Sequence, residues 1–161
     1  MSLFALIIAL LHGYIGMRLL APFELPAQVA GAVVLVFTFA VLPKGFRLRA
    51  TYRWQLWLRW LATGFFSWLL VLTIGRDASL LVSALAFSPS LHLEWVRVSA
   101  LQVMVLTPAI TAIGCVMSRR TAPVVDVDVP LDDLPSSLEG FTIAQISDIH
   151  VGPTIKRPYV D

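Results

Sequence analysis

Trp54-Gln55-Leu56-Trp57-Leu58-Arg59-Trp60-Leu61-Ala62-Thr63-Gly64-Phe65-Phe66-Ser67-Trp68-Leu69-Leu70-Val71-Leu72-Thr73-Ile74 contains a single charged residue, Arg59. A helix crosses the hydrocarbon core of a bilayer with about 20 apolar residues, and this run is long enough. Its early tryptophans, Trp54, Trp57 and Trp60, suit the headgroup level, where an amphipathic ring rests with one edge wet. Arg59 lies in the same first turns, so its stem can follow the apolar surface while the guanidinium reaches back to the interface. The stretch predicts a transmembrane helix.

The rest of the chain agrees with that solvent. Hydrophobic residues make up 58% of the 161 positions and charged residues 14%. The mean hydropathy of +0.81 is too high for a soluble domain of this length. Residues 3–20 form a first apolar block, with His12 inside it and Arg18 near its end. No Lys or Arg precedes this block and no small-residue cleavage site stands out after it, so a retained helix is preferred to a signal peptide. Residues 26–42 form a second block, short for a span, which recruits Leu25 or stands upright and is stopped by Pro43 and Gly45. A fourth runs over 96–117, with Trp95 at its outer edge and Pro108 as a kink. The apolar stretch 80–87 is too short to cross and reads as an interfacial helix or folded loop between the third and fourth spans.

Lys44, Arg47, Arg49 and Arg53 collect between the second and third spans, and Arg119 and Arg120 follow the fourth. The other connections balance: Arg18 with Glu24, Arg76 with Asp77, Arg97 with Glu94. Positive charge favours the cytoplasmic side, which puts the N-terminus and the C-terminal tail inside, on a multi-pass membrane protein. The basic residues lie against the bilayer and the aromatics belong to the apolar blocks, so nothing points to nucleic acid. The lipid bilayer is the expected partner. Carboxylates are missing from the spans as read, and no internal repeat is present, which disfavours a transporter.

Within the spans, His12 reads as a neutral imidazole bonded to a neighbouring helix, in preference to a proton relay. Cys115, the only cysteine, reads as a small filler. Gly31, Thr63, Gly64 and Gly114 read as places where helices approach closely.

After Arg120 the chain changes character. Residues 124–131 alternate Val or Leu with Asp, the period of a strand with one wet face. Residues 132–140 supply a loop, and 141–147 a second strand apolar on both faces. That strand runs out at Asp148-Ile149-His150, followed by Gly152. Side chains two apart on a strand share a face, roughly 6.6 Å apart along the backbone, so a carboxylate and an imidazole can converge there on one metal ion.

The run from Gly140 to Gly152, with Ser147-Asp148-Ile149-His150-Val151-Gly152 after an apolar strand, resembles the opening strand and first metal motif of calcineurin-like metallophosphoesterases. It is most similar to a bacterial branch in which transmembrane helices precede the enzyme domain. Leu134 to Gly140 and Gly152 to Pro158 share the likeness, which covers about the last 40 residues. The resemblance implies an all-α transmembrane bundle of about four spans (residues 1–119) followed over 120–161 by the first strands of an α/β sandwich. It implies Asp148 and His150 as ligands of the first of two divalent ions that clamp a phosphoryl group and supply the attacking water. Mn, Fe and Zn all suit mixed oxygen and nitrogen donors. The substrate class is a phosphate ester or phosphoanhydride, with lipid-linked phosphates favoured by the tethering.

The family's later elements, Gly-Asp, Gly-Asn-His and Gly-His-x-His, are not in these residues, and His12 and His92 lie in or beside the membrane blocks. Two donors cannot hold a catalytic ion that takes about four to six. The expectation is therefore the N-terminal portion of a longer membrane-anchored phosphoesterase, inactive as it stands, with no catalytic residue of its own assigned. The competing expectation is a small four-helix membrane protein with a structural or interaction role, whose tail is not catalytic.

Overall fold

The structure, a computed structural model, describes residues 3–45, 53–120, 124–130, 135–138 and 140–145. Four helices account for most of them: α1 (Leu3–Leu20), α2 (Leu25–Gly45), α3 (Arg53–Ala86) and α4 (Pro89–Met117). All four are long and apolar enough to cross a membrane. The chain divides into two compact units, residues 1–118 and 119–161.

Local chemistry sets the helix ends. Phe23 N–H bonds the Leu20 carbonyl at 3.1 Å in the turn after α1, and Gln28 Nε2 donates to the Phe23 carbonyl at 2.8 Å. Pro26 stands in the first turn of α2, where its missing N–H costs nothing. Pro89 opens α4 in the same way after an extended Ser88. α4 continues through Pro108 to Met117.

The third span differs from expectation. α3 does not stop at Ile74 but runs on to Ala86, and α4 begins at Pro89, so 76–94 is mostly the two arms of a helical hairpin, continuous with α3 and α4 and not a separate loop between them. Charged Arg76 and Asp77 stay helical because other helices supply their partners, as described below. Asp77 is therefore a carboxylate within a helix long enough to span, which corrects the reading that the spans hold none.

Among the described residues α1 and α3 touch each other and form the centre of the bundle, α2 packs against both, α4 packs on α3 and more lightly on α1, and α2 and α4 do not meet. The core is a thin stripe: Ile8, Ile15, Leu19, Leu42, Phe66, Leu69, Ala100 and Val103. By contrast Leu10, Val33, Val36, Val71, Val105 and Val116 are more than half exposed. In water such a surface would aggregate; in lipid the tails cover it, and the helices associate by close packing and hydrogen bonds. The chain is a membrane protein.

Interior hydroxyls are satisfied on their own helices. Thr73 donates to the Leu69 carbonyl at 2.6 Å, Thr107 to Val103 at 2.7 Å, Thr111 to Thr107 and Thr63 to Arg59 at 2.8 Å. Glycine sorts differently from expectation. A Cβ on Gly31 would run into the Leu20 side chain, so α1 and α2 cross closely there. Gly64 and Gly114 have open space, and no helix approaches them.

In the second unit, the described segments 124–130 and 141–145 form neither ladder nor bridge, and Ser136–Leu138 is a 3₁₀ turn. The expected strands are thus not seen among the described residues. Alternation fixes which side chains share a face, but a strand exists only once a neighbour takes its N–H and C=O groups, and these two segments do not pair with each other. Gly140 adopts φ of +77°, a left-handed turn that only glycine makes freely, just before Phe141.

Candidate functional site

Polar side chains gather where α1 ends and α3 and α4 continue. Tyr14 and Arg18 are four apart on α1 and so share a face. Arg18 Nε donates to both Asp77 carboxylate oxygens, at 2.9 and 2.8 Å, and the Tyr14 hydroxyl donates to Oδ2 at 2.7 Å. Next to Asp77 on α3, Arg76 turns the other way: Nε donates to Ser99 Oγ at 3.1 Å and Nη2 to the Val96 carbonyl at 2.8 Å, both on α4. Its Nη1 remains 3.6 Å from Asp77 Oδ1. Only 2% of the Arg76 side chain is exposed, and a guanidinium is tolerated at that depth because each face has an acceptor or a counter-charge. Asp77 thereby ties α1 to α3, while Arg76 ties α3 to α4.

One and two turns further on, the hairpin is braced again. Trp95 Nε1 donates to Ser79 Oγ at 3.2 Å. Ser83 Oγ donates to the Leu80 carbonyl at 3.0 Å, so His92 Nδ1–H is the donor in its 2.8 Å bond to Ser83 Oγ. A Ser–His pair can serve nucleophilic chemistry, but Ser83 is 1% exposed and its proton is engaged by a carbonyl, so this pair is a brace.

Between these elements a groove of about 540 Å³ opens, its polar side formed by Arg18, Arg76, Asp77 and His92 and its apolar side by Met17, Pro22, Leu80 and Leu81. Sequence reading missed this cluster. It balanced Arg18 against Glu24, whereas the structure pairs Arg18 with Asp77 on α3. The available signal was a charged pair embedded in an apolar run long enough to stay helical.

His12 sits deeper, in the bundle core. Its Nδ1–H donates to the Ile8 carbonyl at 2.7 Å, and Nε2 lies 3.2 Å from Thr38 Oγ1 on α2. The ring stacks on Phe66 of α3 at 4.4 Å and meets the edge of Phe39 at 5.5 Å. An imidazole so enclosed joins three helices as a cross-brace. Cys115 is a free thiol of intermediate burial.

Asp148 and His150 lie outside the described residues. Among the described residues no group of three or more His, Cys, Asp and Glu comes together to hold a metal ion. The described approach to them is a turn: Leu138 N–H bonds the Pro135 carbonyl at 2.8 Å and Phe141 N–H the Leu138 carbonyl at 3.0 Å, with Gly140 between.

No family model matches the chain, and no solved structure matches it. Part of it is similar to two proteins called "transmembrane protein with metallophosphoesterase domain". The one from Danio rerio is 39% identical over 54 residues, which is 34% of this chain and 12% of that protein. The one from Bos taurus is 39% identical over 62 residues, 38% of this chain and 14% of that protein. The matched part thus spans about an eighth of the length of either relative.

Proposed function

We propose that these residues form the membrane anchor and the opening segment of a metal-dependent phosphoesterase, a hydrolase of phosphate esters or phosphoanhydrides. The observation that carries the reading is the pairing, in one chain, of four membrane-length helices with a Ser-Asp-x-His-x-Gly run, alongside similarity to two proteins whose names combine the same two properties. Asp148 and His150 are the residues that would hold the first divalent ion. A hard carboxylate oxygen with a borderline imidazole nitrogen suits Mn, Fe or Zn. When bound, a pair of such ions would polarise the phosphoryl group and activate water. Two donors do not complete such a site, so the remaining ligands are assigned to sequence outside these 161 residues.

In the cell this reading gives a multi-pass protein of the bacterial plasma membrane, with Lys44, Arg47, Arg49, Arg53, Arg119 and Arg120 on the cytoplasmic side and the enzyme segment with them. A phosphorylated substrate, lipid-linked where the tether matters, would meet the site at that face.

The test reads the gene beyond codon 161 for Gly-Asp, Gly-Asn-His and Gly-His-x-His elements and assays the protein so encoded for metal-dependent phosphoesterase activity. Activity lost by more than about 100-fold on Asp148→Ala and His150→Ala, beyond the cost of outer-shell changes, supports the ligand roles. A natural stop, with no transition metal bound by the purified chain, favours instead a small structural or interaction protein with a non-catalytic tail. A reporter fused after Arg120 and active only outside the cell would overturn the orientation.

A further inference from the structure

Most polar side chains deep in the helices have partners. The hydroxyls of Thr38, Ser67 and Thr107 close on carbonyls of their own helices, and His12, Arg76 and Asp77 bond to neighbouring ones. Gln102 does not follow this rule. It is exposed on α4, and among the described residues its side-chain amide bonds to nothing.

Depth makes that costly. α4 has 29 residues, about 44 Å, and Gln102 lies about 20 Å from either end. Wherever a hydrocarbon core of about 30 Å falls along this length, Gln102 is at least about 6 Å inside it. A carboxamide carries two N–H donors and a carbonyl acceptor, and lipid tails satisfy neither.

Its neighbours on the helix form a seam. Val98, Gln102, Val105, Ala109, Ala112 and Val116 follow at alternating steps of four and three, the spacing that keeps one stripe of a helix against a partner helix. All six are exposed, whereas Val103 and Thr107 of the same helix are buried. The seam therefore lies away from the core of its own bundle. Ala109 and Ala112 are small enough for two backbones to approach, and the stiff valines lose little freedom on packing. What covers such a stripe must be a helix at the same depth that offers both a donor and an acceptor. A second copy of this chain does so by symmetry. Two copies inserted in the same sense, related by a two-fold axis along the membrane normal, bring Gln102 opposite Gln102.

We propose that this face of α4 is a homodimer seam, in which the two Gln102 amides exchange N–H to carbonyl hydrogen bonds across the axis while Ala109 and Ala112 let the helices close. Such a seam goes beyond the phosphoesterase reading and owes nothing to the chemistry of the tail.

The test uses the full chain. Single-cysteine variants in a Cys115→Ala background are oxidised with copper phenanthroline in the membranes of the cells that make them. Ala109→Cys on the seam cross-links to a dimer, and Val33→Cys, on the exposed surface of α2, does not. The purified chain, labelled at its N-terminus with donor and acceptor fluorophores and diluted with lipid in phosphatidylcholine vesicles, gives the dissociation constant of the dimer. Gln102→Leu raises it at least about fivefold, the scale of a polar contact between helices in lipid. Leucine at this exposed position suits lipid, so the bundle itself stays folded. Gln102→Asn, which keeps an amide, retains the dimer. A chain monomeric at every dilution, cross-linking equal in Ala109→Cys and Val33→Cys, or a dimer unmoved by Gln102→Leu overturns the seam. Gln102→Asn as weak as Gln102→Leu overturns the amide exchange.

Discussion

The two helical hairpins solve the same problem by different means. α1 and α2 are bilayer-length and meet through close approach: Gly31 lies under Leu20, Gly16 lies against Leu35, and one buried bond joins His12 to Thr38. α3 and α4 have 34 and 29 residues, about 51 and 44 Å of helix, several turns longer than a hydrocarbon core of about 30 Å. Over residues 76–99 they are joined by side-chain hydrogen bonds, Arg76 to Ser99 and Val96, Trp95 to Ser79 and His92 to Ser83. Within lipid, hydrophobic association gives no driving force, so small residues and fit hold helices together. In the long hairpin polar pairs add to that fit. The Asp77 carboxylate, bonded to Arg18 and Tyr14, joins the two hairpins, as His12 does deeper in the core by stacking on Phe66.

The comparison can be broken hardest at that group. Asp77→Ala should destabilise the bundle by about 3 kcal/mol, at the low end for a broken buried pair because Asp77 keeps some access to solvent. It strands Arg76 and frees α1, and unfolding in detergent by denaturant titration measures the loss. Gly31→Leu should cost about 2 kcal/mol, since Leu20 must yield and the α1–α2 crossing open; the same titration checks it, and a neutral result would mean that close approach does not hold the short hairpin. Ser83→Ala should cost about 1 kcal/mol and act on the long hairpin, read as faster amide exchange over 78–95 with α1 and α2 unchanged. Val36→Ile, on an exposed lipid-facing position, should stay within about 0.5 kcal/mol of the parent, and a larger loss would show a packed neighbour at that surface.

Length and apolarity made the four helices readable in the sequence, because a bilayer demands both from each span. The end of α3 was misread for a physical reason. Arg76 and Asp77 look like an exit into water, and only partners 59 and 63 positions earlier, Arg18 and Tyr14, make them compatible with a continuing helix. Sequence spacing does not carry such long-range pairing. The same blindness hid the groove, whose members come from α1, α3 and α4. Gly31 was identified correctly as a close approach, whereas Gly64 and Gly114 show that a glycine in a span need not face a neighbour. In the tail, alternation pointed to a strand over 124–130 but could not supply it a partner, and Asp148 and His150, the site residues most legible as a motif, lie outside the described residues.

The hydroxyls of Thr63, Thr73, Thr107 and Thr111 each close on a carbonyl of the preceding turn. Hydroxyls so sated can leave the translocation machinery alone, with no polar debt to settle in hydrocarbon. Arg76 and Asp77 have no such self-sufficiency. Their bonds cannot form until α1 and α4 stand beside α3, so the four helices are locked together only after α4 has been delivered.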